Sequence, residues 1–87
     1  MPYIKKEDRP KIIGNLDHIV ENIDNVGELN YTITRLVHLY LKKEGICYKN
    51  LSSITGVLND VKIEFERRVV AKYEDEKIEQ NGDIGVL

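Results

Sequence analysis

The stretch that most constrains the fold runs from residue 53 to residue 80, because it contains nothing that stops an α-helix. It has no proline, and its single glycine, Gly56, costs a helix only about 1 kcal/mol relative to alanine. A continuous helix would be about 40 Å long at 1.5 Å per residue. A compact chain of 87 residues has a radius of gyration of only about 12 Å. The helix therefore either breaks near residues 71–73, which we favour, or continues and projects into a partner.

Three apolar stripes with helical spacing predict an all-α fold. In the first, Ile12, Leu16, Ile19 and Ile23 recur three or four residues apart, with polar residues between them. Two further stripes follow, and an acidic run after the third suits the start of another helix, since acids complement the dipole of a helix N-terminus. The prediction is one domain, residues 1–87, with three helices at roughly 8–24, 28–44 and 50–71 and a short C-terminal helix at 74–80.

A chain of this size buries little surface on its own, so its stability needs reinforcement. Folding removes only about 60% of the unfolded surface, and small domains add disulfides, metals or oligomerisation. Cys47 is the only cysteine, which excludes an intrachain disulfide and fits a reducing environment. Together with His18 and His38 it does not form a zinc spacing. Elimination predicts a homo-oligomer, and the expected contact surfaces are second helix faces that carry Tyr31, Leu39, Ile63 and Val70.

Charge and hydropathy narrow the classes of partner. The formal net charge is −2, whereas a nucleic-acid-binding domain usually shows a dominant basic face. No apolar run approaches the roughly 20 residues of a membrane span, and the first ten residues, "MPYIKKEDRP", lack the apolar centre of a signal peptide. We therefore expect a cytoplasmic protein with no membrane partner and no nucleic-acid partner.

Several motifs together resemble a family of short, uncharacterised phage and prophage proteins. The motifs are "MPYI" at 1–4, "GELNYTIT" at 27–34, "GVL" at 56–58 and "RRVVAKYEDEKIEQNGD" at 67–83. Family members have "APYED" where this chain has "AKYED", so Lys72 replaces a proline. A proline there would force the preceding residue out of helical geometry, and the resemblance thus supports a break at 71–73. It implies a phage origin and action in the host cytoplasm, and it implies no particular activity.

Two polar blocks hold the candidate ligand-binding residues. In the first, Tyr31, Arg35 and His38 share one helix face, where an aromatic ring can stack on a base and a guanidinium can bind a phosphate. In the second, Arg67 lies between apolar neighbours on a helix face and needs an acidic partner or an anionic ligand. The candidate residues are Glu28, Asn30, Tyr31, Arg35, Arg67, Arg68, Lys72 and Tyr73.

Ordinary structural roles are the alternative for each block. The arginines can pair with Glu74–Glu76, and Glu64 with Arg68 has the i,i+4 spacing of a helix ion pair. The first block can be a solvated polar face. The acids after residue 73 lack the spacing of a calcium loop, so we expect no metal and no cofactor.

Catalysis is not expected, which leaves binding functions. Cys47 with His38 or His18 would be a nucleophile and base, yet no oxyanion-forming glycine turn accompanies them. The first hypothesis is a phage-type protein that sequesters a nucleotide-derived immune signal, such as a cyclic oligonucleotide or an ADP-ribose derivative, and so counters host defence. The alternative is a protein–protein interaction module that inhibits a host enzyme and has no small-molecule ligand.

Overall fold

The computed structural model describes residues 1–85, which are all-helical and contain no strand. This confirms the all-α class and three of the predicted helices. The elements are a 3₁₀ turn (Lys6–Asp8), α1 (Pro10–Glu21), α2 (Val26–Glu44), α3 (Tyr48–Phe65), a π-helical turn (Glu66–Val70) and α4 (Ala71–Asn81).

The last three elements, residues 48–81, form one continuous helix, which we call the long helix. Helical backbone angles continue through both junctions, with φ −62° and ψ −43° at Glu66 and φ −59° and ψ −42° at Ala71. The predicted break at 71–73 and the separate helix at 74–80 are therefore wrong. Lys72 keeps the N–H and the freedom that a proline would remove, so the acids after it lie inside a helix rather than at the start of one.

The start of α2 is fixed by a reciprocal cap. Asn25 accepts a hydrogen bond from the backbone N–H of Glu28 at 2.9 Å, and the Glu28 carboxylate accepts one from the backbone N–H of Asp24 at 3.0 Å. Two otherwise unpaired amides are thereby satisfied. The helix begins at Val26, two residues earlier than predicted.

The turn between α2 and the long helix depends on Gly45. Its φ of +99° with ψ of 151° is a conformation that only glycine adopts without strain. Asn50 closes the turn by donating from its side-chain amide to the carbonyl oxygen of Gly45 at 2.8 Å. The two helices meet at this turn.

The described chain has no hydrophobic core of its own. None of residues 1–85 is buried, and large apolar side chains such as Phe65 remain 58% exposed. The accessible surface is 8128 Å², whereas a folded monomer of 10.1 kDa is expected to expose about 5300 Å². The radius of gyration, 17.1 Å, likewise exceeds the roughly 12 Å of a compact chain. The helices are thus held in an open arrangement that leaves their apolar faces uncovered.

Among the helices of residues 1–85, none combines the length and the apolar composition that a membrane-spanning segment requires.

Candidate functional site

The candidate residues at the start of α2 combine a structural role with exposure. Glu28 is engaged in the cap, where its second oxygen also accepts from the side-chain amide of Asn25 at 3.2 Å. Tyr31, one turn further on, is 67% exposed. Both residues line a shallow depression of about 390 Å³, which His18 and Asn22 at the end of α1 complete. The cap therefore fixes the wall of a depression whose aromatic side chain is free to contact a ligand.

Asn30 and Arg35 lie on the same helix and differ in their contacts. Asn30 accepts a hydrogen bond from the Thr34 hydroxyl at 3.3 Å. Arg35 makes no hydrogen bond and no ion pair with any residue of the described range 1–85. Its guanidinium is thus an exposed cation that no residue of the described range pairs with.

Arg67 has an internal acidic partner. Its Nη2 atom donates to both oxygens of Glu64, at 3.1 and 3.3 Å, and the Tyr3 hydroxyl donates to the same carboxylate. We call these three residues the strap cluster, because Tyr3 belongs to the N-terminal segment, whose first residue also contacts the long helix, at Asp60. The ion pair of Glu64 with Arg68, which we considered as an alternative, is not formed. Arg67, three residues away, reaches the carboxylate instead.

The strap cluster shifts the ionisation of both charged members. The hydrogen bond from Tyr3, and then that from Arg67, hold the pKa of Glu64 below its ordinary value, with partial desolvation opposing them. The same carboxylate raises the pKa of Arg67 through its hydrogen bond and its charge. The cluster favours the charged forms of both groups, so Arg67 is held in place by a partner within the chain.

The two other candidate cations of the long helix have no such partner. Arg68 and Lys72 make no hydrogen bond or ion pair within the portion of the chain that the structure describes, and Glu74–Glu76 form no ion pair there with any arginine. Pairing of the arginines with Glu74–Glu76, which we considered as an ordinary role of this block, is therefore not formed within residues 1–85. The Tyr73 ring lies 5.4 Å from Lys77 Nζ, a cation–π distance.

The two groups of candidate residues occupy separate parts of the protomer. The depression at the start of α2 contains Glu28 and Tyr31. A second depression, on the long helix, is lined by Phe65, Val70 and neighbouring residues but by none of the candidate residues of the second block. None of the main depressions formed by residues 1–85 draws on both groups. A ligand that contacts both groups of candidate residues therefore requires either residues from a second chain or a rearrangement of the protomer.

Metal binding has no visible site among residues 1–85, where no three His, Cys, Asp or Glu side chains cluster. Tyr3 is the residue that sequence analysis missed, and Glu64 was considered there only as a partner of Arg68. The apolar "MPYI" motif marks the strap, but no local pattern shows that Tyr3 meets a carboxylate 61 positions away.

Comparisons with known proteins locate the chain in a family without assigning an activity. Neither the curated proteins nor the solved structures contain a match to it. A family does match, over residues 1–84, and its description agrees with the expected resemblance to an uncharacterised family. The chain belongs to the family described as Domain of unknown function (DUF6899).

Proposed function

We propose that this protein acts as a homo-oligomer that binds a small, anionic, nucleotide-derived ligand at sites completed by neighbouring subunits. The observation that carries the proposal is the surface of the protomer, which has no buried residue within 1–85 and exceeds the surface of a compact monomer by about 2800 Å². A chain that cannot bury its apolar stripes alone must bury them against another molecule.

The size of the excess is that of an obligate subunit interface, which further copies of the same chain can provide. Obligate subunit interfaces bury about 2000–5000 Å² in total, or roughly 1000–2500 Å² on each partner. The excess on this protomer reaches or passes the upper end of that range. Assembly therefore accounts for the exposed stripes without requiring any other protein.

The chemistry of the uncommitted side chains favours a phosphate-bearing ligand. Arg35, Arg68 and Lys72 are exposed cations without partners in residues 1–85, and cationic side chains bind phosphate through charge-assisted hydrogen bonds. The exposed ring of Tyr31 is suited to stacking on a base. Arg67, held by Glu64, would contribute from a fixed position. A nucleotide-derived immune signal has both of the required groups, and its sequestration by a phage protein would counter host defence.

A thermal-shift panel tests this function. Cyclic dinucleotides, cyclic trinucleotides and ADP-ribose derivatives are added to the purified protein at a fixed subunit concentration. A ligand at about 100 times its Kd adds about 2.7 kcal/mol of stability, which raises the Tm of a domain this size by roughly 10 °C or more.

The panel is repeated with Arg68→Ala and with Lys11→Ala as the matched control, because Lys11 is an exposed cation outside both candidate groups. We expect the shift to vanish in the first variant and to persist in the second. An unmodified ligand recovered in stoichiometric amount from the heated complex is the expected sign of sequestration. Recovery of a chemically altered ligand would contradict it.

The exposed apolar surface also supports the second candidate, a module that docks on a host enzyme. That function requires the same stripes to be covered by a different protein, with the charged C-terminal block (residues 67–83) as the docking surface. A purified protein that stays monomeric and shows no thermal shift with any member of the panel would favour it over the first candidate.

A further inference from the structure

One uncharged stripe runs along the long helix and is left uncovered by the rest of the protomer. We call it the long-helix stripe and define it by Leu58, Val61, Phe65, Val69 and Tyr73. Each of these side chains is between 42% and 58% exposed. α1 does not approach the long helix, and α2 approaches only its first part, α3, and neither the π turn nor α4. The stripe is therefore an open apolar surface.

The π-helical turn explains why this stripe stays on one side of the helix. Phe65, Val69 and Tyr73 follow each other at intervals of four residues, and each interval overshoots the 3.6 residues of a turn by about 40°. The two steps would carry Tyr73 about 80° away from Phe65 on a regular helix. The π turn at Glu66–Val70 places one extra residue in a turn, which returns the following residues by about 100°. The drift is nearly cancelled.

A straight apolar stripe of this length has the form of a helix–helix contact. Regular spacing on one side of two helices lets their side chains interdigitate. A stripe that contacted only solvent would gain no stability from a π turn, which is rarer than a regular α-helical turn and confined to short segments. The turn thus points to a packing partner that contacts residues on both sides of it.

We infer that a second copy of this chain packs along the long-helix stripe, an inference that rests on the proposed homo-oligomer. The surface excess of about 2800 Å² is more than a stable subunit interface needs on one partner, and the stripe is an extended apolar face that a second copy can cover. Every copy brings the same uncharged surface.

This contact also bears on the proposed binding site. Arg68 lies three residues from Phe65 and seven from Val61, so it borders the stripe. A copy packed on the stripe places Arg68 at the subunit boundary. The neighbour can then supply Tyr31 and Arg35, which the protomer's own depressions do not bring to Arg68. The site is incomplete without the second chain.

Cysteine protection tests the inference in the full chain. The exposed Cys47 is first removed by Cys47→Ser, and either Val69→Cys or Ile78→Cys is then introduced. The two positions are matched, since Val69 and Ile78 lie on the same long helix and are 52% and 44% exposed in the protomer, but only Val69 belongs to the stripe. Alkylation by N-ethylmaleimide is timed in native and denatured protein, and the mass of each native variant is measured by sedimentation.

We expect the thiol at position 69 to be alkylated on the order of tenfold more slowly than the thiol at position 78, because covered thiols are inaccessible to the reagent. The inference would be supported equally if the Val69→Cys variant dissociated while the Ile78→Cys variant stayed oligomeric. Equal alkylation rates in variants that both sediment as oligomers would overturn the stripe assignment and leave the proposed oligomer standing. A parent protein that sediments as a monomer would overturn both.

Phe65→Ala gives an independent measurement by sedimentation. We expect this variant to dissociate at a subunit concentration at least about ten times higher than the parent protein, since truncating a buried aromatic at an interface costs more than about 1.4 kcal/mol, the equivalent of a tenfold change. An unchanged dissociation concentration would count against the stripe.

Discussion

Gly56→Ala is expected to stabilise the protein, even though a glycine inside a helix often marks close packing. A Cβ built at Gly56 meets nothing within 4 Å, and the residue lies inside α3 with ordinary helical geometry. Replacing glycine by alanine in an open helix interior gains about 1 kcal/mol, chiefly because the unfolded chain loses conformational freedom. Gly56 lies seven residues before Ile63, on the face away from the long-helix stripe, so a copy packed on the stripe leaves it open.

The expected gain corresponds to a rise in Tm of about 4–8 °C for a domain of this length. Thermal denaturation followed by circular dichroism measures it, with the subunit concentration fixed because assembly makes the Tm concentration-dependent. Gly45→Ala is the matched control. The same substitution at a φ of +99° costs about 1–3 kcal/mol in backbone strain and should lower the Tm.

A destabilising Gly56→Ala substitution would refute this reasoning. It would show that a neighbouring subunit approaches the face of Gly56 and Ile63 closely enough to exclude a methyl group, and the covered surface would then include the second face that the sequence singled out. Gly14→Ala shows whether the helix-propensity gain is realised in this protein, since a Cβ at Gly14 also meets nothing within 4 Å.

Two further predictions concern the helix cap and the strap cluster. Asn25→Ala should cost about 1 kcal/mol, because the amide of Glu28 loses its acceptor, while Asn25→Asp should retain most of the stability; equal thermal denaturation of the three proteins would contradict the cap. The lowered pKa of Glu64 means that its carboxylate adds stability that is present above the ordinary value of 4.5 and is lost as the pH falls through the lowered value. Thermal denaturation against pH should therefore show a difference between the parent protein and Glu64→Gln above pH 4.5 that disappears in more acidic solution, and a difference independent of pH would refute the assignment.

The all-α fold could be predicted from the sequence because apolar residues recur with helical spacing along most of the chain. The starts and ends of α1 and α2 were predicted to within a few residues. The Asn25-to-Glu28 spacing is a recognisable cap signal that would have placed the start of α2 correctly. Local sequence is sufficient for such features because the contacts that determine them lie within one helix turn.

The continuity of the long helix and the partner of Arg67 could not be predicted in the same way. Whether a π turn forms depends on how the packed helix accommodates the apolar spacing after Phe65. The acids that follow Lys72 are as compatible with the start of a new helix as with the continuation of the long helix. Arg67 pairs with Glu64, whose other partner, Tyr3, comes from the opposite end of the chain. Long-range contacts of this kind are set by the tertiary arrangement, and the candidate ligand-binding residues stay a prediction for the same reason.

The mass of the native protein in solution tests the central claim most directly. The account predicts a species whose mass is at least twice the 10.1 kDa of one chain at micromolar subunit concentration, measured by size-exclusion chromatography with light scattering. It also predicts that dilution into monomers removes helical circular dichroism, because residues 1–85 of an isolated protomer contain no buried core to hold the helices. A monodisperse 10.1 kDa species that keeps its full helical signal at the same concentration would contradict the account.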